Sequence, residues 1–227
     1  MKIDVNQRIL GAHEEITARN RRLLASENIV TINLMGSPGA GKTSILEGIL
    51  PLIRPSLRVA VIEGDLFTSK DAERIAAQGV PAVQINTRGA CHLDGSMIEN
   101  AIEQLPLADI DLLVIENIGN LVCPAEFDLG EDLRICLLSV TEGEDKVPKY
   151  PLMFKDADVV ILNKMDLVPY VDFKLEEFYR DLRLLNPSAT VFEVSCRNSV
   201  GLSELARWIE REAVVKKSRQ KENGPCV

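Results

Sequence analysis

Hydrophobic positions in this chain fall into short unbroken runs, separated by stretches in which apolar residues recur every three or four places. Residues 57–63 (LRVAVIE), 82–85, 110–115 (IDLLVI), 134–140 (RICLLSV), 158–162 and 190–194 are rich in β-branched and aliphatic side chains. Such runs predict strands covered on both faces. Helical spacing lies between them, over 69–78 and 97–104, and again over 202–215. Strands alternating with helices predict right-handed crossovers, hence an α/β three-layer sandwich whose mostly parallel sheet is flanked by helices. Residues 5–25 place Ile9, Ala12, Ile16, Leu23 and Leu24 among polar neighbours. They predict an amphipathic helix that packs on the domain and has no chemistry of its own. The expected division is an N-terminal helix in 1–28, one α/β domain in 29–215 and a frayed tail in 216–227.

The apolar run that ends at Met35 passes into Gly36-Ser37-Pro38-Gly39-Ala40-Gly41-Lys42-Thr43 and then a helical segment from Ser44. A glycine-rich turn between strand and helix aims backbone N–H groups at an anion, and the helix N-terminus adds partial positive charge. Residues 36–44 therefore predict the phosphate loop of a P-loop nucleoside triphosphatase. Lys42 is assigned to the β- and γ-phosphates, and the Thr43 hydroxyl to Mg²⁺.

The base is specified some 120 residues later, where the run 158–162 delivers Asn163-Lys164-Met165-Asp166. Ligands bind at the carboxyl ends of strands in such sheets. An Asp at this point accepts from the ring N–H and exocyclic amine of guanine, a donor pair adenine does not present. Lys164 packs over the base and Asn163 bridges loops. Ser195-Cys196-Arg197, after the last strand-like run, resembles the loop whose backbone amide meets the guanine carbonyl in GTPases. Two acidic strand ends belong to the other end of the nucleotide. Asp65 and Glu116 are candidates for Mg²⁺ and for orienting water, and Gly119, three residues beyond Glu116, for the γ-phosphate. Glu63 is read instead as a helix cap or solvated turn.

Composition narrows the partners. The chain has 227 residues, 46% of them hydrophobic, and a net charge of −8. That balance argues against nucleic acid or an anionic membrane as a main partner. No segment approaches the roughly 18 apolar residues of a membrane span, and the first residues lack a signal-peptide core, so a cytoplasmic protein is expected. The five cysteines, an odd number, favour free thiols or ligands over disulfides. Cys136 lies inside an apolar run and reads as core. Cys91 and His92 are adjacent, and Cys123 follows Gly119 by at most about 14 Å of extended chain. Thiolates with an imidazole suit Zn²⁺ or Ni²⁺. By spacing alone the same three residues read sooner as buried thiols and a loop histidine than as ligands.

The strings ENIGNLVCPAEFDLGE, CHLDG, EGD and NKMD resemble the HypB family, the GTPases required for nickel insertion in [NiFe]-hydrogenase maturation. The resemblance covers residues 30–200. It implies a SIMIBI-class P-loop GTPase with slow hydrolysis, GTP- and metal-linked homodimerisation, and a nickel or zinc site at Cys91, His92 and Cys123. A hydrogenase-maturation partner and the hydrogenase large-subunit precursor are the implied partners. The urease-accessory nickel GTPases share this logic, but their C-P-H metal motif is missing here. A nucleotide-gated scaffold that barely hydrolyses is a further alternative. Two departures stand out. Residues 1–28 hold no cysteine and only His13, so the N-terminal nickel motif of many members is absent from them. Ser37 also stands where several relatives carry a lysine that crosses to the partner's nucleotide. Lys149, preferred over Lys146 because Pro148 stiffens its approach, is the expected substitute, with Asp71 as its salt-bridge partner.

Overall fold

The computed structural model describes residues 5–65 and 70–222, with side chains for 13–65 and 70–218; residues 1–4, 66–69 and 223–227, among them Ser69 and Cys226, lie outside it. In chain order the elements are α1 (Val5–Ser26), β1 (Val30–Gly36), α2 (Lys42–Ile53), β2 (Val59–Asp65), α3 (Lys70–Ala76), β3 (Ala82–Asn86) and α4 (Gly95–Ile102). There follow β4 (Leu112–Glu116), α5 (Cys123–Glu126), β5 (Leu133–Ser139), α6 (Lys146–Lys149), α7 (Pro151–Lys155), β6 (Val159–Asn163), α8 (Leu175–Leu185), β7 (Thr190–Glu193) and α9 (Leu202–Glu222).

The seven described strands form one sheet in the order β3-β2-β4-β1-β5-β6-β7, and every pairing between them is parallel. The five central strands are almost wholly buried, while β3 and β7 at the edges are partly exposed. Continuous apolar runs form central strands because helices cover both faces, which leaves no solvent side for alternation to serve. On one face α2 and α9 bury Ile45, Ile49, Leu205 and Ile209 against Ile32, Leu34, Val114 and Ile135. On the other, Leu24 and Ile98 cover Ile62, Leu113 and Ile115, and farther along Phe154 and Phe178 cover Cys136, Leu138 and Val160. Strand order reverses beside β1, whose neighbours β4 and β5 carry the chain to opposite halves of the sheet. Ligand crevices form outside the carboxyl ends of strands at such a switch point.

Helix α1 packs through a polar stripe as much as an apolar one. The Thr17 hydroxyl donates to the Asp128 carbonyl at 3.1 Å, and the Asn20 amide donates to the Gly95 carbonyl at 2.7 Å. Of the predicted apolar pair only Leu24 is buried; Leu23 is 41% exposed, because adjacent residues are about 100° apart on a helix. The side chains of Ile9 and Ala12 lie outside the described set. The expected tail differs more. Helix α9 runs on through residues 216–222, where Lys216 donates to the Asp132 carbonyl at 3.0 Å and Lys217 pairs with Asp111 at 2.5 Å. These tertiary contacts hold turns whose polar sequence reads as a frayed end.

Candidate functional site

The phosphate loop connects β1 to α2. Gly41 caps α2 with φ of 105°, a left-handed backbone that glycine adopts without strain. Lys42 is 7% exposed and folds back over the loop, its Nζ donating to the carbonyls of Ser37 at 3.3 Å and Gly36 at 3.4 Å. Burial lowers the Lys42 pKa, and Glu116 with Glu63 opposes that shift. The Ser37 hydroxyl donates to Glu142, which also accepts from the Ser139 amide at 2.9 Å. The phosphate loop is thereby tied to the segment carrying Lys146 and Lys149.

A cavity of about 500 Å³ opens over this loop, lined among others by Lys42, Thr43, Asp65, Glu116, Gly119 and Lys164. The predicted phosphate and acidic residues therefore converge. At Gly119 a Cβ would lie 2.8 Å from the Pro38 backbone, so a side chain there would push the segment off the phosphate loop. Asp71 and Arg74 line the same cavity and pair with each other at 2.8 Å, and Arg74 also pairs with Glu47 at 2.5 Å.

Beneath the cavity the Thr43 hydroxyl donates to Glu116 Oε1 at 2.9 Å. Glu63 requires a correction: it is neither a helix cap nor a solvated turn. It is 1% exposed on β2, in register with Glu116 on β4. Burial first, and then the neighbouring carboxylate, push the Glu63 pKa upward; burial also raises Glu116, against the pull of Lys42. Glu63 Oε1 and Glu116 Oε2 are buried oxygens without a hydrogen-bond partner. Uncompensated buried carboxylate oxygens beside a threonine hydroxyl fit a divalent cation of the hard, oxygen-loving kind.

The segment predicted to read the base is locked onto the phosphate loop. Asn163 donates to the Ala40 carbonyl at 2.9 Å, and Lys164, at φ of 61°, donates to the Gly39 carbonyl at 2.7 Å. Asp166 Oδ1 accepts from the Ser195 hydroxyl at 2.6 Å, which aims the carboxylate. The Cys196 thiol lies 3.8 Å from Asn163 Oδ1, its pKa raised by burial, and Arg197 is exposed.

The structure brings Cys91, His92 and Cys123 together: one ligand atom from each lies within 4.8 Å of the others. The Cys91 and Cys123 sulfurs are 2.9 Å apart, both thiols are free, and His92 Nδ1 is 3.6 Å from Cys91 Sγ. The hydrogen bond to Cys123 raises the Cys91 pKa, with burial adding to it. Burial lowers that of His92, favouring the neutral ring a metal needs. Phe127 stacks on His92 with centroids 3.8 Å apart, fixing the ring. Cys136 is fully buried core, and its pKa is pushed up by that burial.

Lys149 and Asp71 are not partners within one chain. Lys149 pairs with Asp145 one helical turn away, and Asp71 with Arg74. Several residues that shape the site escaped the sequence reading, namely Arg74, Phe127, Asn117 and Asn120, and Glu63 was assigned another role there. All but Arg74 had a signal, since Asn117, Asn120 and Phe127 fall inside ENIGNLVCPAEFDLGE and Glu63 opens EGD, strings that carried the family resemblance.

Comparison with known proteins agrees with this geometry. Residues 30–193 match the CobW/HypB/UreG nucleotide-binding domain. The hydrogenase maturation factor HypB of Azotobacter chroococcum mcd 1 is 49% identical over 210 residues, covering 92% of this chain and 69% of that protein. The crystal structure of HypB from Helicobacter pylori in complex with nickel superposes with a TM-score of 0.86 at 38% identity, over 91% of this chain and 97% of that one. HypB from Archaeoglobus fulgidus gives 0.84 at 35% identity, over 89% and 99%.

Proposed function

Because this chain belongs to the HypB family within the CobW/HypB/UreG nucleotide-binding proteins, we propose that it is a metallochaperone in which GTP turnover times the release of nickel to a [NiFe]-hydrogenase precursor. It is a P-loop GTPase of that family. The observation that carries the metal half of the proposal is the Cys91, His92 and Cys123 cluster, reached from the phosphate cavity through residues 119–123.

Guanine selectivity rests on Asp166, held by Ser195 and offering both acceptors to the ring N–H and exocyclic amine. Lys42, already surrounded by carbonyls and close to Glu116, supplies a nearly desolvated cation for the β- and γ-phosphates. Positioning and charge neutralisation make up most of phosphoryl-transfer catalysis. Thr43, Glu116 and Asp65 would hold Mg²⁺, which supplies charge neutralisation at the phosphate oxygens. Gly119 brings its backbone N–H to the γ-phosphate end of the cavity. Hydrolysis is expected to be slow.

Nickel, the cargo, takes two thiolates and one imidazole per subunit, leaving a position for water or for a ligand from a second copy. Zinc fits the same donor set. GTP is proposed to drive a two-fold homodimer across which Lys149 supplies the positive charge that Ser37 does not. A maturation partner protein and the hydrogenase large-subunit precursor are the proposed recipients.

Calorimetric nickel titration of wild type, Cys91→Ala, His92→Ala and Cys123→Ala, combined with GTP turnover, tests the reading. Each substitution should weaken nickel binding at least tenfold and leave guanine-nucleotide affinity in place. Affinity should also fall with pH, as protons compete for both thiolates and the imidazole. Wild-type nickel affinity in all three variants would remove the metal role.

A further inference from the structure

We infer that Asn120 is the positioning residue that carries nucleotide state from the phosphate loop to the metal cluster. The inference rests on the GTP- and nickel-binding reading above and adds to it a specific mechanical part.

The connectivity is local and complete. The Asn120 backbone N–H donates to the Gly36 carbonyl at 3.0 Å, closing an isolated antiparallel bridge onto the first residue of the phosphate loop. That same carbonyl accepts from Lys42 Nζ at 3.4 Å. The Asn120 side chain then splits toward the two cysteines. Its amide donates to the Cys91 carbonyl at 3.2 Å, and its oxygen accepts from the Val122 N–H at 2.8 Å, the residue before Cys123. One residue thus bonds to the phosphate loop with its backbone and to both thiol-bearing segments with its side chain.

Physical consequences follow from the shared acceptor. When Lys42 is drawn toward phosphate oxygens, the Gly36 carbonyl keeps Asn120 as its hydrogen-bond donor, and the bridge readjusts. Gly119, directly before Asn120, packs against Pro38 at the same time, so both residues move with the loop. Cys123 would follow through the chain alone. Cys91 lies 29 residues before Asn120; its backbone is tied to this segment by the Asn120 amide, beside the side-chain contacts of Cys91 with Cys123 and of His92 with Phe127. Leu93 offers only a long 3.4 Å bond to Asn117. Displacing Asn120 therefore changes the separation and orientation of the two sulfurs, whose geometry sets metal affinity. Asparagine suits the position because its amide presents a donor and an acceptor on two separate atoms at one short reach.

The test is the coupling between two ligands, which a merely structural role would not move. Ni²⁺ is titrated into wild type, Asn120→Ala and Asn120→Asp, each saturated with GDP or with a non-hydrolysable GTP analogue. Wild type should show nickel affinities differing about fivefold or more between the two states, the lower end of ordinary allosteric coupling. Nucleotide titrations with and without nickel must return the same factor, because linkage is reciprocal. Asn120→Ala keeps the backbone bond to Gly36 and cuts both side-chain bonds, so its ratio should fall to within about twofold of unity while nickel still binds. Asn120→Asp keeps the acceptor for Val122 and loses the donor to Cys91, and should uncouple as well. If Asn120→Ala does not fold, Asn120→Asp decides.

Undiminished coupling in a variant that folds overturns the inference, as does equal weakening in both states with the ratio kept. Wild-type affinities that do not differ between states overturn it too. Where coupling persists without the Asn120 side chain, nickel binding still follows the nucleotide and the proposed function survives; where wild type shows no coupling, GTP-timed release falls with the inference and only nickel and GTP binding remain. A wild-type protein that took up no nickel would overturn the proposed function and the inference together.

Discussion

Glu63 and Glu116 lie side by side in register on β2 and β4, both buried, with the Thr43 hydroxyl hydrogen-bonded to the second. Two carboxyls in one dry site cannot both ionise cheaply, and each leaves an oxygen without a partner. Holding the pair costs stability in the metal-free protein, a cost that the Mg²⁺ proposed for this site would offset.

That cost has a sign that can be measured. Burial and Glu116 lift the Glu63 pKa from 4.5 to about 10. Below the lower value both folded and unfolded chains hold the proton, and nothing is lost. Between the two values the folded state retains a proton that the unfolded chain releases, so stability declines as pH rises. Glu63→Gln removes this linkage. In metal- and nucleotide-free protein, calorimetric Tm of the variant minus that of wild type should be near zero at about pH 4 and grow through neutrality. A difference flat in pH would mean that Glu63 is ionised in the fold.

Asp166 is aimed by Ser195 at 2.6 Å, so its two acceptors should decide the base. Asp166→Asn should weaken GTP binding by about 1.5–3 kcal/mol, on the order of 10- to 100-fold, and improve binding of xanthosine triphosphate, whose ring carries a carbonyl where guanine has an amine. Wild type should bind GTP more than about tenfold tighter than ATP, or 1.4 kcal/mol. Fluorescent-nucleotide competition measures all three; ATP within that margin would refute the base assignment.

Lys42 and Asp65 border the same cavity, and their substitutions are expected to affect different states of the nucleotide. Lys42→Ala should abolish turnover and weaken binding of both GTP and GDP. Asp65→Ala should leave GDP affinity intact and slow hydrolysis at least about tenfold, because its role concerns Mg²⁺ and water at the γ-phosphate end. Phosphate-release kinetics with full turnover in Asp65→Ala would remove that residue from the mechanism.

Lys149 is exposed, and among the described residues it pairs with nearby Asp145. Surface pairs of this kind contribute little to stability. Lys149→Ala should therefore leave the melting temperature and GTP affinity of the monomer unchanged while reducing GTP-induced dimerisation in light scattering. Undiminished dimerisation would transfer the crossing charge to another residue, Lys146 first.

The division between what could be read from the chain and what could not follows the range of the forces involved. Residues 36–44 and 163–166 were legible because their chemistry is a property of adjacent residues: glycine backbone freedom, a helix N-terminus and a carboxylate at a strand end. The five central strands were legible because burial on both faces removes polar residues from a run, although pairing moved individual ends; β4 begins at Leu112, two residues after the apolar run does. Other features depend on register and contact between distant segments. Glu63 became a buried partner of Glu116 only through the alignment of β2 with β4. Cys91 reached Cys123 across 32 residues because loops at the carboxyl ends of the sheet converge there. The polar end of α9 is held by Asp111 and Asp132, which lie far back in the chain. Asn120 shows the same limit, since three hydrogen bonds to three segments leave no periodicity to read. The sequence by itself determined which nucleotide chemistry this protein carries, because that chemistry is local. Only the tertiary structure decided which side chains share a dry site or stand together as candidate metal ligands, because that is set by packing and strand register.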